Sequence, residues 1–463
     1  MKLKTSWLRA TGPCICALAL VCGCVCGDAR EEQRRVARRL AEGGGTAAES
    51  PAPGAPLASL VEFALAHRPS MKAAELDVID ARLAMEELKA DAPLASTCPW
   101  RAPKVDLGAS YAESSRPAHS DDFKAKTKKG DLSATLSVDL TIYDFGRWDA
   151  RVKAQAKNTL AAEEAMEREG YTVFNETAEA YFTLAQNIEL ERLAQSNIVQ
   201  YTEHLREAES RFEAGEAQKL DVLVAKLDLA NAREAAVSAA NNVTTARARL
   251  AHAIGAAPDA RFLPELREEF AGRAADGTAE ALFAHASTNA PAMKIARARL
   301  EAASAQVDYT VADLLPNLGA SLSLNWTDPL WYWRWGVSAA QNLFAGGRNA
   351  TAVERAVNAM LKSESELDAA QNALARDMEL AVAERDSAAE AERAALDSLR
   401  QAEENYATVV SQYEVGEASR IDFTDAVAAK TAAETAVAKA KCRRQIAIAS
   451  IYSLTGEKPV FAK

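Results

Sequence analysis

Glycine and proline are scarce in this chain of 463 residues, at 21 and 15. Ala, Glu, Arg and Leu dominate instead, the composition of long helices or coiled coils. There is no excess of positive charge. The formal net charge of -11 argues against a nucleic-acid partner, because phosphate binding wants a basic face. Outside the first residues only Cys98 and Cys442 remain of the seven cysteines, which excludes a disulfide framework. The five histidines, at 67, 119, 204, 252 and 285, show no paired ligand spacing, so neither a metal site nor a cofactor is expected. No arrangement of nucleophile and base stands out, and the chain does not read as an enzyme. Ala345-Gly-Gly-Arg-Asn lacks the Gly-Lys-Ser/Thr of a phosphate loop. Beyond the first residues no apolar run reaches the ~20 residues that a membrane helix needs.

The N-terminus reads as an export signal over residues 1–23. Lys2, Lys4 and Arg9 form a basic start, and the apolar run from Gly12 to Gly23 is too short to span a bilayer. Val21-Cys22-Gly23-Cys24 resembles a bacterial lipobox, which implies cleavage before Cys24 and acylation of its thiol. Simple cleavage after Gly27 is the alternative. Residues 24–56 are polar, then rich in Gly, Ala and Pro, and read as a flexible tether.

Ordered structure is predicted from Leu57. A short amphipathic helix reaches about residue 67, and Pro69 opens a second that ends near residue 92. The period then changes. Val105, Leu107, Ala109 and Tyr111 alternate with polar or small residues, and so do Leu132, Ala134, Leu136, Val138, Leu140 and Ile142. This predicts a β-hairpin over about 104–144 with one apolar and one polar face. From Arg147 the helical pattern runs to about residue 214, a span of about 100 Å at 1.5 Å per residue. A shorter helix follows from 217 to about 253 and is closed by Gly255. Residues 57–255 form a first repeat, and 256–277, with Pro258 and Pro264, form a linker or side element.

Residues 278–456 repeat the plan, with a hairpin at about 317–344 and a tail at 457–463. Phe212-Glu-Ala-Gly-Glu-Ala matches Tyr413-Glu-Val-Gly-Glu-Ala at a shift of 201, which is 416 less 215. Ile142-Tyr-Asp-Phe-Gly-Arg147 matches Leu343-Phe-Ala-Gly-Gly-Arg348 at the same shift, 348 less 147, and Gly255 matches Gly456. Upstream, Pro69-Ser-Met-Lys matches Pro291-Ala-Met-Lys at 222, which is 291 less 69. The unit duplicated is helix, strand, strand, helix, helix.

The strands then demand company. In the second hairpin Leu318, Ala320, Leu322, Leu324 and Trp326, then Trp331, Trp333, Trp335 and Val337, share one apolar face. A strand of ~11 residues tilted at ~45° spans ~26 Å, the height of an outer-membrane barrel's apolar band. The tryptophan cluster at the hairpin end suits an aromatic girdle. A barrel in lipid must close, and four strands do not close one. Two copies give eight strands, a barrel filled by its own side chains; three give twelve and leave a lumen. The alternative is an antiparallel sheet packed on a soluble core.

Leu315-Pro-Asn-Leu-Gly-Ala-Ser, Leu343-Phe-Ala-Gly-Gly-Arg and Tyr413-Glu-Val-Gly-Glu-Ala-Ser-Arg-Ile-Asp-Phe-Thr-Asp, in this order and duplicated, resemble the outer-membrane efflux protein family of TolC-like channels. The resemblance covers about 57–456. It implies an α+β membrane protein with two helix-strand-strand-helix-helix repeats. Four β-strands per protomer would contribute to a trimeric 12-stranded barrel above a long α-helical barrel. It implies an outer-membrane location reaching into the periplasm, a homotrimer, a periplasmic adaptor protein, an inner-membrane pump and outer-membrane lipid as partners, and no chemistry of its own. The hairpins at Gly215-Glu216 and Gly416-Glu417 would then be the adaptor-docking tip. Asp422 and Asp425, three apart on one helix face, would line the constriction. Three copies would gather six carboxylates, and at ~8 Å with an effective dielectric near ~20 one pair repels by ~2 kcal/mol. Tyr413 would hold the tip closed, with Asp221 as its partner. Where the family often carries a basic residue, two places after the second hairpin glycine, this chain has Ala418; its nearest base is Arg420. A lipid-anchored, non-conducting periplasmic coiled-coil protein is the rival reading from a different class.

Overall fold

The computed structural model describes residues 55–93, 104–112, 131–215, 218–256, 270–327, 330–415 and 417–461. The signal, Cys24 and nearly all of the expected tether lie outside them, as do Glu216 and Gly416. In chain order the elements are α1 (Leu57–His67), α2 (Pro69–Ala90), β1 (Lys104–Ala112), β2 (Asp131–Tyr143), α3 (Arg147–Glu213) and α4 (Lys219–Ile254). Then come β3 (Phe270–Ala271), α5 (Arg273–Asp276), α6 (Ala279–Asn289), α7 (Pro291–Ala312), β4 (Asn317–Thr327) and β5 (Leu330–Ala340). The chain continues through α8 (Arg348–Glu414) and α9 (Arg420–Thr455) to β6 (Val460–Phe461). No described helix is long and apolar enough to cross a membrane.

The duplication is written in the helix lengths. α2 and α7 each have 22 residues, α3 and α8 each have 67, and α4 and α9 each have 36. At 1.5 Å per residue the two longest reach about 100 Å. Both helices of the last pair end at a left-handed glycine. Gly456 has φ 69°, and a Cβ there would lie 2.9 Å from Pro291 Cδ, so a side chain meets both strain and a neighbour.

The four long strands form one antiparallel sheet in the order β1-β2-β4-β5, so the two hairpins are joined edge to edge through β2 and β4. Leu136 faces Leu324 and Val138 faces Leu322, and the apolar row continues across the second hairpin as Leu324 to Trp333 and Leu322 to Trp335. Positions of the other parity are polar. Thr135 Oγ1 donates to Asn325 Oδ1 at 3.0 Å, and Asn325 Nδ2 donates to Ser323 Oγ at 3.0 Å. Trp333, Trp335 and Val337 are each 67% exposed within the chain. Among the described residues no soluble core covers this apolar face, and β1 and β5 are left as open edges. β5 stops at Ala340 rather than near residue 344, and Leu343 and Phe344 lie exposed in the connection to α8.

The hydrophobic core lies midway along the long helices, where Val173 to Leu184 of α3 and Leu374 to Val382 of α8 meet the C-terminal turns of α4 and α9. Leu57, Leu60 and Ala64 of α1 and Leu282 of α6 close its sides. Phe270 packs at its centre, with its ring centroid 5.9 Å from Phe174, 5.7 Å from Phe182 and 5.7 Å from Tyr452. Its backbone N–H donates to the buried Gln445 Oε1 at 2.9 Å. Residues 270–276 are therefore an integral part of this core and not only a connection. β3 pairs with β6, so Val460 and Phe461 of the expected tail are tied in as well. Arg385, 7% exposed on α8, donates to the carbonyls of Ala274 at 3.2 Å and Gly277 at 2.8 Å and fixes the same segment. This segment was hard to read because its two-residue strands carry no period.

Candidate functional site

The two expected tip hairpins are the α3–α4 and α8–α9 connections. In the first, Gly215 reverses the chain with φ 79°, a region that glycine enters without a Cβ penalty. α4 then starts at Lys219 rather than at 217, because Gln218 and Asp221 form a reciprocal capping box. The Gln218 N–H donates to Asp221 Oδ2 at 3.1 Å. In the second, the N–H groups of Glu417 and Ala418 both donate to the Gln412 carbonyl, at 2.8 and 3.2 Å. Glu417 is exposed.

Ser419 and Asp422 cap α9 in the same way. The Ser419 N–H donates to Asp422 Oδ2 at 2.9 Å and the Ser419 hydroxyl donates to the same oxygen at 2.7 Å, while the Asp422 N–H donates back to Ser419 Oγ at 3.2 Å. The Ser419 hydroxyl and then its backbone N–H favour the carboxylate, so the Asp422 carboxyl is held below its ordinary 3.8. Asp425 is exposed on the same helix, one turn on. Ser-x-x-Asp before a helix is a legible capping signal, and it gives Asp422 a structural task beside any role in a constriction.

Tyr413 is 8% exposed. Its ring stacks on Phe423 with centroids 5.1 Å apart, and the Arg211 guanidinium lies 4.7 Å from its centroid. His204, 3% exposed on α3, also stacks on Phe423, at 5.0 Å. Tyr406 adds a tilted contact with Phe423 at 6.4 Å and carries Lys430 Nζ 4.6 Å from its centroid. Burial, and next the nearby Glu203 carboxylate, push the Tyr406 phenol up. One aromatic cluster thus ties α3, α8 and α9 just short of the hairpins. The structure places Tyr413 in this cluster and Asp221 in the cap of α4. Phe423 lies within the quoted motif at the second hairpin, whereas His204 and Arg211 belong to none, and only the stacking of α3 on α9 brings them to this cluster.

The sequence profile described as "Outer membrane efflux protein" matches residues 60–256 and 282–457, which is most of the chain and follows the two repeats. The chain belongs to the outer membrane efflux protein family. As a member it is a protein of the outer membrane. The outer membrane efflux protein BepC of Brucella suis biovar 1 (strain 1330) is 21% identical over 345 residues, covering 72% of this chain and 75% of its own. The fold is shared with solved members. The outer membrane protein VceC from Vibrio cholerae is 19% identical with a TM-score of 0.72, covering 86% of this chain and 96% of its own. The CmeC outer membrane channel of Campylobacter jejuni is 17% identical with a TM-score of 0.73, covering 86% and 85%.

Proposed function

We propose that this chain is the outer-membrane exit duct of a tripartite efflux or type I secretion system. Three copies close a twelve-stranded barrel and a helical tunnel beneath it. Substrate passes through without chemistry, and a periplasmic adaptor and an inner-membrane pump supply the direction and the energy. The observation that carries this reading is the sheet: four strands, an uncovered apolar face and two open edges. Such edges do not survive in lipid unless other strands pair with them. A non-conducting coiled-coil spacer has no use for them.

The α3–α4 and α8–α9 hairpins, with Gly215, Glu216, Gly416 and Glu417, are the docking tip of this reading. Asp422 and Asp425 form its constriction. Tyr413 closes the tip, with Asp221 as its partner across the hairpins. Cys24 carries the lipid. Reconstituted into liposomes loaded with a small dye, the purified protein is expected to release the dye, and to run in detergent at three times the mass of its processed chain. A folded trimer that leaves the dye sealed in, with the tip opened by substitution at both aspartates, contradicts the duct.

A further inference from the structure

The duplication gives the chain two equivalent helix joints. At the first, the left-handed turn at Gly255 after α4 lies against the residue before α2, and a Cβ on the glycine would fall 3.4 Å from Arg68 Cα. At the second, Gly456 after α9 meets the residue before α7 in the same way, 3.5 Å from Ala290 Cα. The residues correspond at the shifts of the two repeats, 456 less 255 being 201 and 290 less 68 being 222. The joints differ in what stands between the helices. Arg68 fills the first: its guanidinium donates to the Ala253 carbonyl at 3.4 Å and to the Glu176 carboxylate. The counterpart of Arg68 is Ala290, whose single methyl group cannot reach across the second.

A cavity of about 200 Å³ lies at the second joint instead. Ala290, Pro291, Leu374 and Leu454 give it an apolar lining, Tyr171 joins them, and the exposed Arg168 stands at its edge. Leu454 is the counterpart of Ala253, 454 less 253 being 201. It belongs to the last turn of α9, where the carbonyls have no partner within the helix and form its negative end. The surroundings are acidic as well. Burial first, and then the Glu167, Glu457 and Glu164 carboxylates, push the Tyr171 phenol up. Lys294 offsets part of this field, at 3.1 Å from Glu164 and 3.8 Å from Glu167. The carboxylate that holds Arg68 also has a counterpart, Asp377, 377 less 176 being 201, but Asp377 is paired with Arg376 at 2.7 Å.

We propose that the cavity at the second joint binds a small organic cation, an amidinium or guanidinium carried on a compact apolar body. The head takes the place that the Arg68 guanidinium has at the first joint and donates to the Leu454 carbonyl. A planar, delocalised cation suits this place, because it is more weakly hydrated than an ammonium and gives up less water on entering. The apolar body lies against Pro291 and Leu374. Arg168 opposes the ligand with one exposed like charge, which solvent screens. The bound cation ties the end of α9 to the start of α7, as Arg68 ties the end of α4 to the start of α2. The site is built from residues of one chain and does not depend on whether the protein conducts.

The test is calorimetric titration of benzamidine into the purified full-length protein in detergent, with benzamide as the uncharged match. The wild-type protein is expected to bind one benzamidine per chain, and benzamide roughly tenfold more weakly, because a charge-assisted hydrogen bond is about twice as strong as a neutral one. Ala290→Arg supplies a guanidinium from the chain itself and is expected to abolish binding. Arg68→Ala opens the first joint and is expected to raise the stoichiometry to two. Should Ala290→Arg not fold, Ala292→Phe closes the cavity from its exposed rim and is read in its place. The proposal is overturned if the wild-type protein takes up no benzamidine, if benzamide binds equally well, or if binding survives filling of the cavity. A stoichiometry that Arg68→Ala leaves at one breaks the equivalence of the joints and overturns it too.

Discussion

At the tip the smallest device is the Ser419–Asp422 cap. Because the folded carboxyl titrates below 3.8, its contribution is complete above that value and is lost as the pH falls through the lower, folded value. Thermal melts of the wild-type protein and Asp422→Asn are expected to differ from neutral pH down to about 4 and to converge in stronger acid. A difference that persists at low pH would mean that the cap does not depend on the charge. Cys442 gives a second check at this scale. It is wholly buried, and burial pushes its thiol up to about 12, with Lys441 opposing weakly. It is expected to stay unmodified by a thiol reagent until the protein is denatured, as counted by mass spectrometry. These two sites differ in legibility. The Ser-x-x-Asp spacing of the cap can be read along the chain, whereas no local pattern connects His204 of α3 to the Tyr413–Phe423 stack of the second hairpin.

Among the elements, the helices and strands were the most legible part, because each has a long, unbroken period. The matched shifts also required equal helices in the two repeats, and α3 and α8 are equal at 67 residues. The segment at 270–276 was legible only as an interruption. Its importance comes from tertiary contact: Phe270 is 5% exposed and sits among Phe174, Phe182 and Tyr452. Phe270→Ala is expected to cost about 3–5 kcal/mol in denaturant unfolding, from lost transfer energy and the cavity left behind. Gly456→Ala is expected to cost about 1–2 kcal/mol from the left-handed backbone alone, before the contact with Pro291 is counted. If Phe270→Ala unfolds like the wild type, the core is not centred where the packing places it.

For the whole molecule, a single chain leaves the sheet with two free edges among the described residues. Strand alternation announces this, since a two-faced strand with a tryptophan-rich end has no place in one soluble chain. On the proposed reading, repeating the chain around an axis turns the open sheet into a barrel and the aspartates at the tip into a ring. The most direct measurement of that account is single-channel conductance in a planar bilayer, comparing the wild-type protein with Asp422→Ala/Asp425→Ala. A duct held narrow by these carboxylates predicts a small, cation-preferring conductance that grows or loses its preference in the variant. Folded trimers of both proteins that show no channel at all would contradict it.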